Sequence, residues 1–295
     1  MKIRRRVGIW LGMTVACVIA AVAVGVVAVR HRPADRPQVT QPAQPPSAVV
    51  LPLGALDYPY GVAVDASGNV YVTDAGHQRV LKLAAGDATP TELPFKDLHY
   101  PQGVAVDGAG SVYVTDGPNR VLKLAAGTGD QTKLPFLVFK PEGVAVDGVG
   151  NVYVADVDSE LTKLAAGSSS QTQVAFAGLH GTPVGVAADG VGNVYIAGFV
   201  EYRVVKVEAG NGNSTELPFT GLDHPDGVAV DRKGSVYVTD RYNDRVLKLA
   251  RGTTATVLPL TGLRGPKGVA VDGAGNVYVA DSFNNRVLKL PASRN

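Results

Sequence analysis

One short motif recurs along this chain of 295 residues and constrains its fold more than any other feature. The motif is Gly-Val-Ala-Val-Asp, and its copies begin at Gly61, Gly103, Gly143, Gly185, Gly227 and Gly268. The copy at Gly185 reads Gly-Val-Ala-Ala-Asp. Successive copies are 42, 40, 42, 42 and 41 residues apart. A repeat of this length is typical of a supersecondary unit that must stack against its neighbours to bury its apolar faces.

Each repeat unit contains the same series of short apolar runs. In the fifth unit the runs are Gly227–Val230, 235–240, 245–249 and 256–260. Gly, Asn and Asp separate the runs, as expected for turns between strands. Four short strands per unit and six units predict an all-β chain folded as a six-bladed β-propeller over residues 49–295.

The two ends of the repeat array predict how the ring closes. The last unit stops after its third run, at residues 286–290, and lacks a fourth strand. The segment 49–53, Val-Val-Leu-Pro-Leu, matches the fourth-strand pattern Thr-Glu-Leu-Pro-Phe found at 91–95 and 215–219. We therefore expect residues 49–53 to pair with the last blade and to cover its open edge.

The motifs also carry a family resemblance. Pro-x-Gly-Val-Ala-Val-Asp, Gly-Asn-Val-Tyr-Val and Asn-Arg-Val occur together at residues 266–287 and resemble NHL repeats. Over residues 49–295 the array is similar to the extracellular sensor domains of mycobacterial receptor-type serine/threonine kinases. The resemblance implies a sensor or binding module. The sequence has no Gly-rich nucleotide loop, His-Arg-Asp or Asp-Phe-Gly segment, so we do not expect it to phosphorylate by itself.

The N-terminal segment predicts attachment to a membrane. Val7–Val29 contains no charged residue in 23 positions, which is long enough to cross a bilayer core of about 30 Å. Residues 1–6 would form a short cytoplasmic tail, and the Pro-rich residues 30–48 would form a spacer. We expect a single-pass anchor with the propeller extracytoplasmic. The alternative is a signal peptide cleaved near Ala21-Val22-Ala23 and a secreted protein.

Composition excludes several classes of partner and cofactor. Residues 1–48 hold seven of the 28 Lys and Arg residues but one of the 26 acidic residues, so the rest of the chain has net charge −4. Nucleic acids require a dense basic face and are not expected partners. Cys17 is the only cysteine, which excludes an intramolecular disulfide. No cofactor motif occurs, and we expect no cofactor.

Two sets of residues recur around the predicted ring. Aspartates end the second strand at Asp74, Asp116, Asp156, Asp240 and Asp281, and arginines begin the third at Arg79, Arg120, Arg203, Arg245 and Arg286. A ring of carboxylates suggests a metal or cationic ligand, whereas one Asp–Arg pair per blade suggests a loop tie. The repetition favours the loop tie. Units three and four depart from the pattern, with Leu161 in place of Arg and Gly198 in place of Asp.

The loops of these two departing units are unusually apolar. Leu137-Val138-Phe139 precedes the third inner strand, and Phe199-Val200-Glu201-Tyr202 joins two strands of the fourth unit. Propeller topology places both loops on one face, where they would form a contact surface for a protein or lipid. The alternative is local core filling. The predicted binding residues are Leu137, Val138, Phe139, Asp156, Phe199, Tyr202 and Arg203.

Histidines carry a separate hypothesis. His99, His180 and His224 each lie three to five residues before an inner strand, on loops of one face. Three imidazoles are sufficient for an open zinc site, although their unequal offsets favour ordinary loop histidines.

Taken together, these features of the sequence predict a binding or sensor module for a protein, peptide or cell-envelope ligand, with a metal-dependent propeller lyase or lactonase as the alternative.

Overall fold

The computed structural model describes residues 47–157, 160–177, 179 and 182–293. The predicted cytoplasmic tail, the apolar segment Val7–Val29 and most of the predicted spacer lie outside these residues, as does His180. Within the described part of the chain, no helix is long and apolar enough to cross a membrane.

Short strands account for almost all of the regular structure. Blade one contains β2 (Pro59–Val64), β3 (Val70–Asp74), β4 (Arg79–Leu83) and β5 (Thr91–Glu92). Blade two contains β6 (Pro101–Val106), β7 (Val112–Asp116), β8 (Arg120–Leu124) and β9 (Gln131–Lys133). Blade three contains β10 (Pro141–Val146), β11 (Val152–Asp156), β12 (Glu160–Leu164) and β13 (Gln171–Gln173).

The second half of the ring repeats this arrangement. Blade four contains β14 (Pro183–Ala188), β15 (Val194–Gly198), β16 (Arg203–Val207) and β17 (Ser214–Glu216). Blade five contains β18 (Pro225–Val230), β19 (Val236–Asp240), the 3₁₀ turn η1 (Arg241–Asn243), β20 (Arg245–Leu249) and β21 (Thr256–Val257). Blade six contains β22 (Pro266–Val271), β23 (Val277–Asp281), the 3₁₀ turn η2 (Ser282–Asn284), β24 (Arg286–Leu290) and the N-terminal strand β1 (Val49–Val50).

The predicted closure of the ring is confirmed. β1 pairs antiparallel with β24, with Val49 opposite Lys289 and Val50 opposite Leu288. The Leu51 amide extends the pairing by donating to the Val287 carbonyl at 2.9 Å. Leu53 is buried in a cluster that joins blade six to blade one, with Tyr278 and Val287 on one side and Val72 and Leu81 on the other. Residues 47–293 therefore contain a complete core and both closing segments, as an independently folding domain requires.

Consecutive strands of each blade are antiparallel, so their connections alternate between two faces of the ring. We call the face where the inner strands begin the upper face. It carries the loops that precede each inner strand and the loops between the second and third strands. The lower face carries the turns between the first and second strands and between the third and fourth strands. The described chain enters blade six from the lower face, because β1 starts there.

The glycine of each motif has a packing role that composition does not reveal. A Cβ atom on Gly143 would lie 2.5 Å from the Val184 carbonyl oxygen and 3.0 Å from the Val186 nitrogen, both in the next blade. The five equivalent glycines approach the same pair of backbone atoms in their own neighbours. Only glycine allows inner strands to pack this closely. The valines that follow line a central cavity of about 80 Å³.

Candidate functional site at the upper mouth of the channel

The variable residue of each Pro-x-Gly-Val motif lies where the inner strand begins, at the upper mouth of the channel. In blade four the strand register shifts between Pro183 and Gly185, and in the other blades it shifts between the proline and the valine. A β-bulge re-aims side chains at the point where it occurs. The six residues placed in this way are Tyr60, Gln102, Glu142, Val184, Asp226 and Lys267.

Four of these residues form a buried polar network. The Tyr60 hydroxyl donates a hydrogen bond to the Glu142 carboxylate. The Lys267 ammonium donates to Asp226 Oδ2 at 2.9 Å and lies 3.8 Å from the centroid of the Tyr60 ring. Tyr60, Asp226 and Lys267 are only 6%, 4% and 3% exposed. Such deeply buried charges need partners, and Lys267 and Asp226 supply them to each other.

Burial shifts the proton affinity of this network. Burial raises the pKa of Glu142, and the nearby Asp226 charge raises it further, against the opposing effect of Lys267. Burial, followed by the charges of Asp226 and Glu142, holds the pKa of Tyr60 well above its usual value. The Tyr60 hydroxyl therefore remains a hydrogen-bond donor, and Glu142 retains its proton to higher pH than an exposed glutamate.

Arg241 connects the buried network to the surface. Its Nη1 atom lies 3.5 Å from Asp226 Oδ2. Its guanidinium carbon lies 5.8, 5.4 and 5.6 Å from the ring centroids of Phe199, Tyr242 and Phe283. These distances allow cation–π attraction to all three rings. The Nε atom is buried and has no hydrogen-bond partner among the described residues.

An aromatic collar surrounds Arg241 on the upper face. We define the collar as Tyr58, Tyr100, Phe199, Tyr202, His224, Tyr242 and Phe283. The His224 ring lies 4.3–4.8 Å from the rings of Phe199, Tyr202 and Tyr242. On the other side, Tyr58 lies 6.2 Å from Tyr100 and 5.8 Å from Phe283. The collar thus forms two groups of rings, with Arg241 contacting both.

The backbone of the collar is strained. Tyr58, Tyr100, Tyr202 and His224 have φ angles of 53°, 112°, 57° and 53°, a region that side chains larger than glycine rarely adopt. Each such residue costs on the order of 1–3 kcal/mol and persists only where the surrounding structure enforces it. The same conformation recurs at Gln78, Asp244 and Asn285, which occupy the position of Tyr202 in other blades, so it is a feature of the repeat as well as of the collar.

The predicted binding residues lie in three different settings. Phe199 and Tyr202 belong to the collar. Leu137 and Phe139 are 79% and 68% exposed on the upper face, whereas Val138 is 4% exposed and packs in the core between blades two and three. Val138 is therefore not part of the exposed surface.

The two charged residues of that prediction, Asp156 and Arg203, make contacts within their own blades. The Asp156 carboxylate accepts hydrogen bonds from the Phe139 and Lys140 amides, both at 2.8 Å. Arg203 pairs with Glu216 on the outer strand of blade four at 3.2 Å. Both contacts hold loops or strands in place.

The recurring aspartates and arginines form the expected loop ties. Asp74–Arg79, Asp240–Arg245 and Asp281–Arg286 pair at 2.8, 2.7 and 2.6 Å, and Asp116 pairs with Arg120. Each of these aspartates is fully buried and also accepts an amide from the loop that precedes its inner strand. The assignment of Leu161 to the arginine position of blade three is wrong, because Glu160 pairs opposite Asp156 and Leu161 is buried at the position of Val80 and Val121. In blade four, Leu179 and a carboxylate oxygen of Glu201 lie next to Gly198.

The histidines of the metal hypothesis lie in separate surroundings. His99 Nδ1 lies 2.7 Å from the Asp97 carbonyl oxygen and close to Arg120. His224 Nδ1 lies 2.6 Å from Asp223 Oδ1 within the collar. Among the described residues, which do not include His180, no three His, Cys, Asp or Glu side chains form a group that could hold a metal ion.

Sequence reasoning missed the buried network and Arg241. The signal that identifies the network is present in the repeats. Every other position of Pro-x-Gly-Val is constant in all six copies, and x alone varies among Tyr, Gln, Glu, Val, Asp and Lys. Since a ring brings equivalent positions together, a variable position in a uniform motif indicates a specialised site.

The fold and the repeats together define the class of protein. Six four-stranded antiparallel sheets around a channel, closed by a strand from the other end of the chain, form a β-propeller. The sequence model of the NHL repeat matches residues 56–83, 222–249 and 263–290, which lie in blades one, five and six. The chain is an NHL-repeat six-bladed β-propeller.

Individual relatives share limited parts of the sequence. Serine/threonine-protein kinase PknD of Mycobacterium tuberculosis is 52% identical over 56 residues, which cover 18% of this chain and 8% of the kinase. The match thus spans a small fraction of that curated relative.

Solved structures match the fold over most of the ring. A virginiamycin B lyase from Staphylococcus aureus has a TM-score of 0.65 at 14% identity and covers 84% of this chain and 99% of its own. A gluconolactonase from Xanthomonas campestris has a TM-score of 0.68 at 16% identity, covering 83% and 89%. A chain of a nidogen/laminin complex has a TM-score of 0.64 at 21% identity, covering 72% and 86%. At these identities the matches establish the fold alone.

Proposed function

We propose that this protein is an extracytoplasmic binding or sensor module that holds a protein or peptide ligand on the aromatic collar. The observation that carries the proposal is Arg241, which is held between three aromatic rings and Asp226 at the centre of the upper face. Tyrosine and arginine in partly desolvated, well-packed positions are the residue types that dominate binding energy at protein interfaces.

The surroundings of Arg241 support a preformed site. The collar tyrosines Tyr100, Tyr202 and Tyr242 are exposed large side chains on this face, as is Phe283. Packing of the rings on Arg241 and on one another fixes them before a ligand arrives, which lowers the entropic cost of binding. Leu137 and Phe139 extend the apolar surface on the same face.

The proposed setting is a membrane anchor through Val7–Val29, with secretion after cleavage as the alternative. Similarity to part of the kinase PknD supports a role in sensing. The fold match to a nidogen/laminin complex is consistent with propellers of this shape binding other proteins.

Selection of peptides on the purified propeller tests this proposal. A random peptide library is selected against residues 47–295, and the recovered peptides are titrated against wild type and a Tyr202→Ala/Tyr242→Ala variant. We expect the variant to bind at least about 30-fold more weakly, because two hot-spot side chains of roughly 1–2 kcal/mol each are removed. The matched control is Val257→Ala, which removes an exposed apolar side chain from an outer strand.

Two results would oppose the proposal. Selection that yields no peptide dependent on the collar would remove its main support. Equal binding by the collar variant and wild type would place the ligand elsewhere. Circular dichroism and thermal unfolding of each variant establish that the ring is intact.

A propeller enzyme, such as a lyase or lactonase, is the second candidate. The observation that favours it is the buried network of Tyr60, Glu142, Asp226 and Lys267, in which burial raises the pKa of Glu142, because a carboxyl group with a raised pKa in a cleft is a candidate acid or base. The test is turnover of a panel of lactones and cyclic esters by the purified propeller. Turnover that is lost in Glu142→Gln but kept in Tyr242→Ala would favour the enzyme over the binding module.

A further inference from the structure

The lower face of blade five differs from that of every other blade. Its turn between the first and second strands carries Arg232-Lys233. The equivalent pairs in the other blades are small or apolar: Ala66-Ser67, Gly108-Ala109, Gly148-Val149, Gly190-Val191 and Gly273-Ala274. Because the repeats have the same fold, they serve as internal controls. The turn itself does not require a cation at either position.

A second turn on the same face repeats this change. Arg251 occupies the position that is alanine in the other five blades, at Ala85, Ala126, Ala166, Ala209 and Ala292. Arg232, Lys233 and Arg251 are all exposed. None of the ion pairs within the described part of the chain includes any of these three side chains.

These cations border a groove between blades four and five. The groove has a volume of about 770 Å³ and is lined by Arg232, Lys233, Arg251 and Lys206. Its carboxylates are Asp189 and Asp231, and both are used within turns. Asp231 accepts hydrogen bonds from the Lys233 amide at 2.9 Å and from the Tyr237 hydroxyl at 3.1 Å. Lys206 also pairs with Glu208 at 4.0 Å, and the Arg232 guanidinium lies beside Gly273 of blade six. Lys233 and Arg251 have no ion pair among the described residues, so the groove carries an excess of positive charge that is complementary to an anion.

Apolar tips lie beside this groove. Val149 and Val191 are 74% and 76% exposed at the ends of the corresponding turns in blades three and four. The two turns are adjacent, since a Cβ atom on Gly148 would lie 3.4 Å from the Gly190 carbonyl oxygen. Exposed apolar tips next to unpaired cations are the combination that binds a lipid surface, with the tips at the acyl boundary and the cations at the headgroups.

We propose that the lower face of blades three to five docks on a membrane that contains anionic phospholipids. Lipid phosphates bind at Lys233 and Arg251, with Arg232 and Lys206 at the two sides, and Val149 and Val191 insert beside them. A soluble anion is the other source of a phosphate, but the exposed valines beside the cations favour the lipid. The docking does not require the anchor or the collar, and it leaves the collar on the opposite face free for its ligand.

Vesicle sedimentation with residues 47–295 tests the docking. Vesicles of phosphatidylcholine are compared with vesicles that also contain phosphatidylglycerol. We expect binding to the anionic vesicles only. The variant Arg232→Gly/Lys233→Ala/Arg251→Ala, which copies the residues of blade six, should bind roughly 100-fold more weakly, at about fivefold per cation. Val149→Ser/Val191→Ser should weaken binding severalfold.

The control removes the same charge elsewhere. Lys96→Ala/Lys133→Ala/Arg264→Ala changes three exposed cations that do not line the groove. If the control variant binds anionic vesicles as wild type does, the groove is supported as the binding site. If it loses as much binding as the groove variant, net charge alone explains the binding and the proposal is overturned. The absence of phosphatidylglycerol-dependent binding would also overturn it.

A competition arm separates the two sources of phosphate. Glycerol phosphate is titrated into the protein alone and into the vesicle mixture. Saturable binding of glycerol phosphate without any vesicle binding would replace the membrane with a soluble anion. These results are independent of the peptide experiment on the collar, so either proposal can fail alone.

Discussion

Substitution of a motif glycine by alanine tests whether close packing between blades determines stability. In Gly143→Ala the new Cβ atom would lie 2.5 Å from the Val184 carbonyl oxygen and 3.0 Å from the Val186 nitrogen. Normal contacts at such atoms begin near 3.4 Å. Both neighbours are backbone atoms of the next blade, so no side-chain rotation relieves the overlap. Blades three and four must separate by several tenths of an ångström.

The cost follows from the rigidity of the ring. Overpacking a core typically costs 1–3 kcal/mol, and we expect the upper end, about 3 kcal/mol, because the clash is with backbone on a closed ring. For a domain of this size, 1 kcal/mol shifts the melting temperature by roughly 2–4 °C. Gly143→Ala should therefore melt about 6–12 °C below wild type.

Gly108 supplies the matched control. It lies in a turn on the lower face, has no heavy atom within 4 Å of an added Cβ, and does not have a positive φ. Gly108→Ala should be neutral or should stabilise the protein by up to about 1 kcal/mol, because alanine lowers the conformational entropy of the unfolded chain. Calorimetry and urea unfolding of the two variants give the comparison. Equal melting temperatures for both variants would refute the packing argument.

Three further predictions concern closure, loop ties and pH. Deleting residues 47–53 removes β1 and the buried Leu53, which exposes the edge of β24, and size-exclusion chromatography should show association at concentrations where wild type is monodisperse. Asp240→Ala leaves the Asp223 amide and Arg245 without their buried acceptor, which should cost about 2–3 kcal/mol in urea unfolding, while the exposed Asp87→Ala should cost nothing measurable. Burial raises the pKa of Asp147, but hydrogen bonds from Asn151 and the Val149 amide outweigh this effect and hold it below its usual value. A carboxyl group whose pKa is lowered in the folded state stabilises the protein above its unfolded pKa of about 3.9, and this stability is lost as the pH falls. The urea midpoint should therefore fall as the pH drops from about 5 to 2, and Asp147→Asn should make this fall shallower. The same pH dependence in Asp147→Asn and wild type would contradict the role of Asp147.

The sequence was sufficient to predict the elements and their order. Repeats of nearly constant length, each with Gly-Val-Ala-Val and Val-Tyr-Val runs, predicted four strands per blade, and all six blades have them. The missing fourth strand of the last repeat predicted the pairing of residues 49–53 with blade six. These features are local or recur as a sequence pattern, so a single sequence was enough to predict them.

The candidate site was only partly predictable. Phe199 and Tyr202 stood out because aromatic residues are unusual in a short loop, and the structure places both in the collar. Asp226 and Lys267, which are 41 residues apart, stood out in no local pattern, yet their side chains meet at 2.9 Å. The sequence predicted that Val138 belongs to an exposed apolar loop, but its side chain packs in the core between blades two and three.

The sequence by itself determined that this chain is a ring of six blades, because hydrophobic alternation, turn residues and repeat length specify each blade locally. Tertiary structure alone decided which residues share the channel mouth and which share the lower groove. Closing the ring brings one position from every blade close to a common axis. The hydrogen bonds of Tyr60 with Glu142 and of Lys267 with Asp226 therefore join repeats that are far apart in the chain. Packing of blade five against its neighbours places Lys233 and Arg251 beside a turn of blade four and the Arg232 guanidinium beside Gly273 of blade six.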